Sequence, residues 1–267
     1  MPIPLFVVTA PRSGSTLLVS ALDTHPRVAM TMEAAWVPFL RKASLLASTP
    51  ALETIDDGEE FRAAGILPHK YVSAFQAAFS RIIHPFVAEF YRRVAGEHDY
   101  YGDKITSHKD LSFAIEYFPG AKFVELVRDF RDVIVSSYAF ENKQPTAWQN
   151  SSFESRVQHL DRFFSATATK LDGLDRLLVR YEDLVSDCPR TMSRLFGFLG
   201  FDVTSEMETF LSGPANELFA TQGTSTSPGA SIGRWRQEMT SEQATRATHA
   251  LADHLRRFGY PADTACE

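Results

Sequence analysis

The stretch Pro11-Arg12-Ser13-Gly14-Ser15-Thr16-Leu17 lies between an apolar run and an apolar helical pattern, and its residue types suit an anion. A helix beginning near Ser13 aims unpaired N–H groups and the positive end of its dipole back into the turn. Gly14 lets the backbone approach a ligand because it carries no Cβ. Ser13, Ser15 and Thr16 add hydroxyl donors, and Arg12 adds a guanidinium fork that suits an oxyanion. The triphosphate loop G-x-x-x-x-G-K-[ST] laid over Thr9 to Thr16 matches at Gly14 and Thr16. Thr9 replaces its first glycine and Ser15 replaces its lysine. The expected ligand is an anionic group of a nucleotide, held without the lysine of an ATPase loop. Read as structure alone, the same residues make a helix capped by Ser13.

Other candidates lie further along. Arg128 ends an apolar run, and Ser136 follows eight residues later, about two helical turns on. Lys104, Tyr181 and the Ser231 to Arg234 segment carry further cations and hydroxyls, while Glu33 and His108 are potential proton acceptors.

These residues need elements to position them. Leu5 to Val8 reads as a strand, 15–22 as a helix, and 28–32 as a short extended piece that delivers Glu33. Residues 34–48 read as helical and 49–68 as a loop with several breakers. Residues 69–95 read as helical, with Pro85 expected to kink or divide them. Strands are expected at 101–106, 121–127 and 176–181. Helices are expected at 110–117, 129–138, 152–171, 187–199 and 240–257. The Gly/Ser/Thr-rich stretch 222–233 reads as a mobile loop. Strands alternating with helices imply a parallel sheet covered on both faces, with ligands at the carboxyl ends of the strands. Thr9 to Arg12, Lys104, Arg128 and Tyr181 all fall at such ends.

The composition bounds the partners. The chain has 267 residues, 44% of them apolar and 22% charged, with a net charge of −6. That describes an ordinary globular protein and favours neither nucleic acid nor an anionic membrane surface. Its two cysteines, Cys188 and Cys266, provide neither a disulfide framework nor metal spacing, so no metal is expected. No apolar run approaches the ~20 residues of a membrane span, and there is no basic leader, so a cytoplasmic protein is expected. The sequence leaves the oligomeric state open.

Pro11 to Leu18 together with Lys122 to Tyr138 resembles the two nucleotide motifs of sulfotransferases that use 3′-phosphoadenosine-5′-phosphosulfate (PAPS). Asp23, His25-Pro26, Val28 and Glu33 are similar to the opening of tyrosylprotein sulfotransferases and their bacterial relatives. So are Phe118 to Phe123 and Val179-Arg180-Tyr181-Glu182-Asp183-Leu184-Val185, followed by Pro189-Arg190. Ser231-Ile232-Gly233-Arg234-Trp235-Arg236 resembles the closing loop of bacterial members. The resemblance implies a single α/β domain over 1–267, a P-loop-like three-layer fold around a central parallel sheet. A helical acceptor-side insertion over roughly 34–100 matches no segment of the family. It also implies PAPS as donor and 3′,5′-ADP (PAP) as product. Arg12, Ser13, Gly14, Ser15, Thr16 and Leu17 would hold the 5′-phosphosulfate, and Arg128 and Ser136 the 3′-phosphate. Tyr181, Ser231 and Arg234 would complete the cofactor site. Arg12 and Lys104 would stabilise the leaving group. Glu33 would be the general base, with His108, by a looser likeness to cytosolic members, as the alternative. The acceptor stays open among phenolic or tyrosyl, natural-product, lipid and sugar hydroxyls. A nucleotide-dependent kinase and an inactive nucleotide-binding scaffold are the rival readings.

Overall fold

A computed structural model describes residues 2–32, 36–45, 69–143 and 150–263. Glu33, Cys266 and the expected loop at 49–68 lie outside them. The sheet is built from β1 (Ile3–Thr9), β2 (Val28–Thr31), β3 (Tyr100–Ile105), β4 (Lys122–Val127) and β5 (Arg176–Arg180). Its order is β2-β3-β1-β4-β5, and every pairing is parallel. The short extended piece after His25-Pro26 is thus an edge strand of the sheet.

β1 lies at the centre, and its side chains alternate between two cores. Leu5 and Val7 face one, with Leu18 and Leu195; Phe6 and Val8 face the other, with Phe130 and Phe164. Burial on both faces explains the unbroken apolar run, a mark of strands inside parallel sheets. Helices follow the strands: α1 (Ser15–Leu22), α2 (Trp36–Leu45), α3 (His69–Ala95), α4 (His108–Tyr117), α5 (Phe130–Glu141) and α6 (Phe153–Lys170). After β5 come α7 (Tyr181–Ser186), α8 (Cys188–Leu199), α9 (Ser205–Ser212), α10 (Pro214–Gln222), α11 (Trp235–Glu238), α12 (Ser241–Ala250) and α13 (Ala252–Arg257). In α8, Met192, Leu195, Phe196 and Leu199 form one buried stripe at helical spacing.

Several expectations change. Pro85 sits inside α3 without dividing it. The helix expected over 240–257 is two helices meeting at Leu251. α9 and α10 had no expected counterpart, and α10 has no buried residue, so it carries no apolar stripe for a periodicity reading to find. None of the helices among the described residues is long and apolar enough to cross a membrane.

Register sets the site. Thr9 pairs with Leu126, Val8 with Ile105, and Val127 with Arg180, so four strands end almost level. The side-by-side strands come very close at Gly102: an added Cβ would lie 1.5 Å from the Leu5 carbonyl oxygen. Gly102→Ala should therefore lower the unfolding free energy by about 2 kcal/mol or more in urea titrations. Gly197, in the exposed side of α8 with open space around it, gives the contrast. Gly197→Ala should raise stability by up to about 1 kcal/mol.

Candidate active site

The turn after β1 leads into α1. The helix starts at Ser15, with Gly14 at its N-cap in the left-handed region (φ 86°), and no side chain caps it. Ser13 is therefore not the cap that its position suggested. It is fully buried, and its Oγ has no hydrogen-bond partner among the described residues. Gly14 is required twice over. Its φ excludes most side chains, and a Cβ there would lie 2.3 Å from Cδ2 of Tyr181. Arg12 also has positive φ (69°), a strained backbone state of the kind that collects at ligand-binding loops.

The side chain of Arg12 lies over the Phe140 ring, 3.7 Å from its centroid, and donates to the Gln222 carbonyl at 2.7 Å. Its Nε has no partner among the described residues. Burial, then repulsion from Arg128 and Arg234, lowers its pKa to about 10, so it stays charged at neutral pH. Arg128 is 4% exposed at the end of β4. It donates to the carbonyls of Arg12 (3.0 Å) and Ser231, and stacks on Tyr181 at 4.7 Å. Its Nε is also unpartnered. Buried donors without acceptors beside mutually repelling cations are what an anion site looks like before the anion is counted.

One cavity of about 830 Å3 runs along the sheet edge. Arg12, Gly14, Ser15, Thr16 and Leu17 line it, as do Lys104, Arg128, Ser136, Tyr181 and Ser231. Ser136 shares a hydrogen bond of 3.0 Å with Thr224, and Tyr181 shares one of 2.9 Å with Ser231. Lys104 enters from the end of β3, where its backbone N–H is held by buried Asp103. Arg234 is brought to the edge of this set rather than into the lining. It forms a two-pronged ion pair with Glu238 and donates to Thr224. His108 is exposed at the start of α4 and does not line the cavity. Glu33 follows Met32, which does line it, but Glu33 itself is outside the described residues.

The expected mobile stretch 222–233 is anchored. Its 3-10 turn (Gly229–Ser231) is held by Arg128, and Lys143 donates to the Gly223 carbonyl. Asp132, wholly buried in α5, accepts the N–H groups of Gly233 (2.7 Å) and Trp235 (2.9 Å). Sequence reading missed Asp132, because its partners lie about a hundred residues away; its only local signal is a charge inside the apolar stripe of a helix. Cys188 is half-buried in the cavity wall rather than in the core.

Burial pushes the Asp132 carboxyl up to about 6, outweighing the attraction of Arg128. The folded state thus holds this proton more tightly than the unfolded chain does. Stability from this group is present at low pH and is lost as pH rises from about 4 to about 6. Between pH 4 and pH 7, wild type should lose about 3 kcal/mol relative to Asp132→Asn in paired denaturation curves. Gly14→Ala, which strains the turn and strikes Tyr181, should lower the unfolding free energy by about 1–3 kcal/mol in urea titrations.

The Sulfotransferase family model matches residues 4–205. The protein-tyrosine sulfotransferase of Drosophila melanogaster is 27% identical over 225 residues, 80% of this chain and 42% of that protein. Protein-tyrosine sulfotransferase 1 of Danio rerio is 29% identical over 202 residues, 74% of this chain and 53% of that protein. The chain thus spans about half the length of these curated relatives. Among solved structures, the sulfotransferase domain from the curacin biosynthetic pathway superposes with a TM-score of 0.60 at 18% identity, covering 98% of this chain and 99% of that one. Mouse sulfotransferase SULT7A1 complexed with PAP gives 0.56 at 13% identity, covering 95% and 84%. At such identities the likeness is one of fold, whereas the family model covers most of the chain: the protein belongs to the sulfotransferase family.

Proposed function

We propose that the chain transfers a sulfuryl group from PAPS to an acceptor hydroxyl and releases 3′,5′-ADP. One observation carries this reading: two anion-holding groups, the Arg12–Leu17 turn and the Arg128–Ser136 pair, open into one cavity of about 830 Å3. A nucleotide with phosphates at both its 3′ and 5′ positions matches that spacing of charge. The orphaned donors on Ser13, Arg12 and Arg128 fit its oxygens. The PAP in the mouse relative supports the same choice.

When bound, the donor supplies a sulfuryl group attached to a phosphate leaving group. The chain then has three tasks. Arg12 and the first N–H groups of α1 hold the negative charge that grows on the departing phosphate oxygen. Lys104, from the neighbouring strand, adds a second cation on the acceptor side of the cavity. A base takes the acceptor proton. Glu33 fills that role, since it directly follows the cavity residue Met32, whereas exposed His108 stands outside the lining. The positioned cations and dipoles supply the main stabilisation, as in phosphoryl transfer. The acceptor is a phenolic or tyrosyl, natural-product, lipid or sugar hydroxyl. The named tyrosine activity of relatives supports the first of these classes. Half-exposed Met32, which lines the cavity, offers an acceptor apolar contact.

Transfer of radiolabelled sulfate from PAPS to a mixed acceptor panel tests the activity. Stabilisation by 3′,5′-ADP but not by ATP with magnesium tests the nucleotide; the opposite pattern would favour a kinase. Arg128→Ala should weaken 3′,5′-ADP by about tenfold to a hundredfold. Lys104→Ala should lower kcat by about 10²–10³ with little change in donor affinity. Glu33→Gln should abolish turnover while leaving donor Kd unchanged, and His108→Asn should turn over normally. The reverse result would transfer the base role to His108.

A further inference from the structure

Two adjacent serines of α5, Ser136 and Ser137, are buried and line the cavity. Their hydroxyls are committed differently. Ser137 Oγ donates to the Ile134 carbonyl at 2.6 Å and accepts from Nη1 of Arg156 at 2.5 Å, so it is engaged inside the protein in both roles. Ser136 Oγ instead meets Thr224, another cavity residue, at 3.0 Å. Successive residues of a helix project about 100° apart, so a rotation of α5 about its axis would exchange the two hydroxyls.

Arg156, near the start of α6, opposes that rotation. It is 1% exposed. Besides the bond to Ser137, its Nη2 donates to both carboxylate oxygens of Glu141 at 2.8 Å, and its Nε donates to the Ser151 carbonyl at 3.3 Å. Its guanidinium also covers the Tyr138 ring, 3.7 Å from the centroid. Ser137 and Glu141 are four residues apart and share one face of α5. Ser136 and Phe140, with the same spacing, share the neighbouring face, which lines the cavity. Nearer its start, α5 meets α6 through the rings of Phe130 and Phe164, 4.5 Å apart. An apolar contact of that kind resists separation more than rotation, whereas a planar guanidinium fork is directional. A buried ion pair contributes little stability that well-packed apolar residues of the same size would not. What it does supply is orientation. We propose that Arg156 is a positioning residue for the donor: it fixes the rotation of α5 so that Ser136, and not Ser137, presents its hydroxyl to the 3′-phosphate. This rests on the donor reading above, with Arg128 and Ser136 at that phosphate.

The test compares 3′,5′-ADP with 5′-AMP by calorimetry. The two differ only in the 3′-phosphate, so the ratio of their Kd values isolates what that group adds. Wild type should prefer 3′,5′-ADP by about tenfold or more, the size expected of charge-assisted hydrogen bonds. Arg156→Lys keeps a cation for Glu141 but loses the fork that also reaches Ser137. It should cut the ratio by about threefold to tenfold, with 5′-AMP binding changed by less than about twofold. Ser137→Ala, which leaves the Arg156–Glu141 pair in place, should cut the ratio in the same way. It decides the matter if Arg156→Lys fails to fold. In a Ser136→Ala background, adding Ser137→Ala should lower the ratio no further, because both act through one hydroxyl. An unchanged ratio in Ser137→Ala, equal weakening of both ligands, or additive losses in the double variant overturns the proposal while leaving the donor reading standing. A wild type that binds 3′,5′-ADP no tighter than 5′-AMP overturns the donor reading itself.

Discussion

A guanidinium buried where β4 ends joins every part of this site. Arg128 reaches back to the backbone of the first turn, forward to the Ser231 carbonyl, and lies flat against Tyr181. Those three contacts come from segments separated by more than two hundred residues of chain. Tyr181 in turn occupies the space that any side chain at position 14 would need. The turn, the strand end, the start of α7 and the closing segment are therefore one packed unit. Taking such a cation out of water is expensive, and carbonyls and a ring compensate only in part. The Nε of this guanidinium has no partner among the described residues.

The same economy explains the strain at Arg12. A positive φ at an arginine and a pKa drawn down to about 10 are both unfavourable. Phe140 and the Gln222 carbonyl hold the guanidinium in place despite its cationic neighbours. A turn built this way is preorganised: the cations of Arg12 and Arg128 already converge on one cavity.

Much of this was legible in the order of residues. Unbroken apolar runs ending in Arg12, Arg128 and Tyr181 gave strands whose ends had to meet, because parallel strands place their carboxyl ends together. Local chemistry alone pointed to the Gly14 turn. What stayed hidden was whatever depends on long-range contact. Asp132 binds amides about a hundred residues away, and fully buried Arg131 donates to the carbonyls of Pro261 and Asp263, about 130 residues on. α10 escaped notice because it covers a cavity rather than a core and so needs no apolar stripe. The alternative in which Ser13 caps the helix fails because the turn needs the left-handed freedom of the next residue.

Behind the site, Arg131 grips the carbonyls of Pro261 and Asp263, and Glu182 takes hydrogen bonds from both Asp129 and Tyr260. Asp129 stands next to Arg128, so the strand end is braced by residues 260–263. This has a consequence for biosynthesis. A ribosome that has released only the first two hundred residues has made all five strands, yet the brace and the closing turn are still unmade. The growing polypeptide must therefore wait for these late segments before the cavity is closed, which separates folding of the sheet in time from completion of the cavity wall.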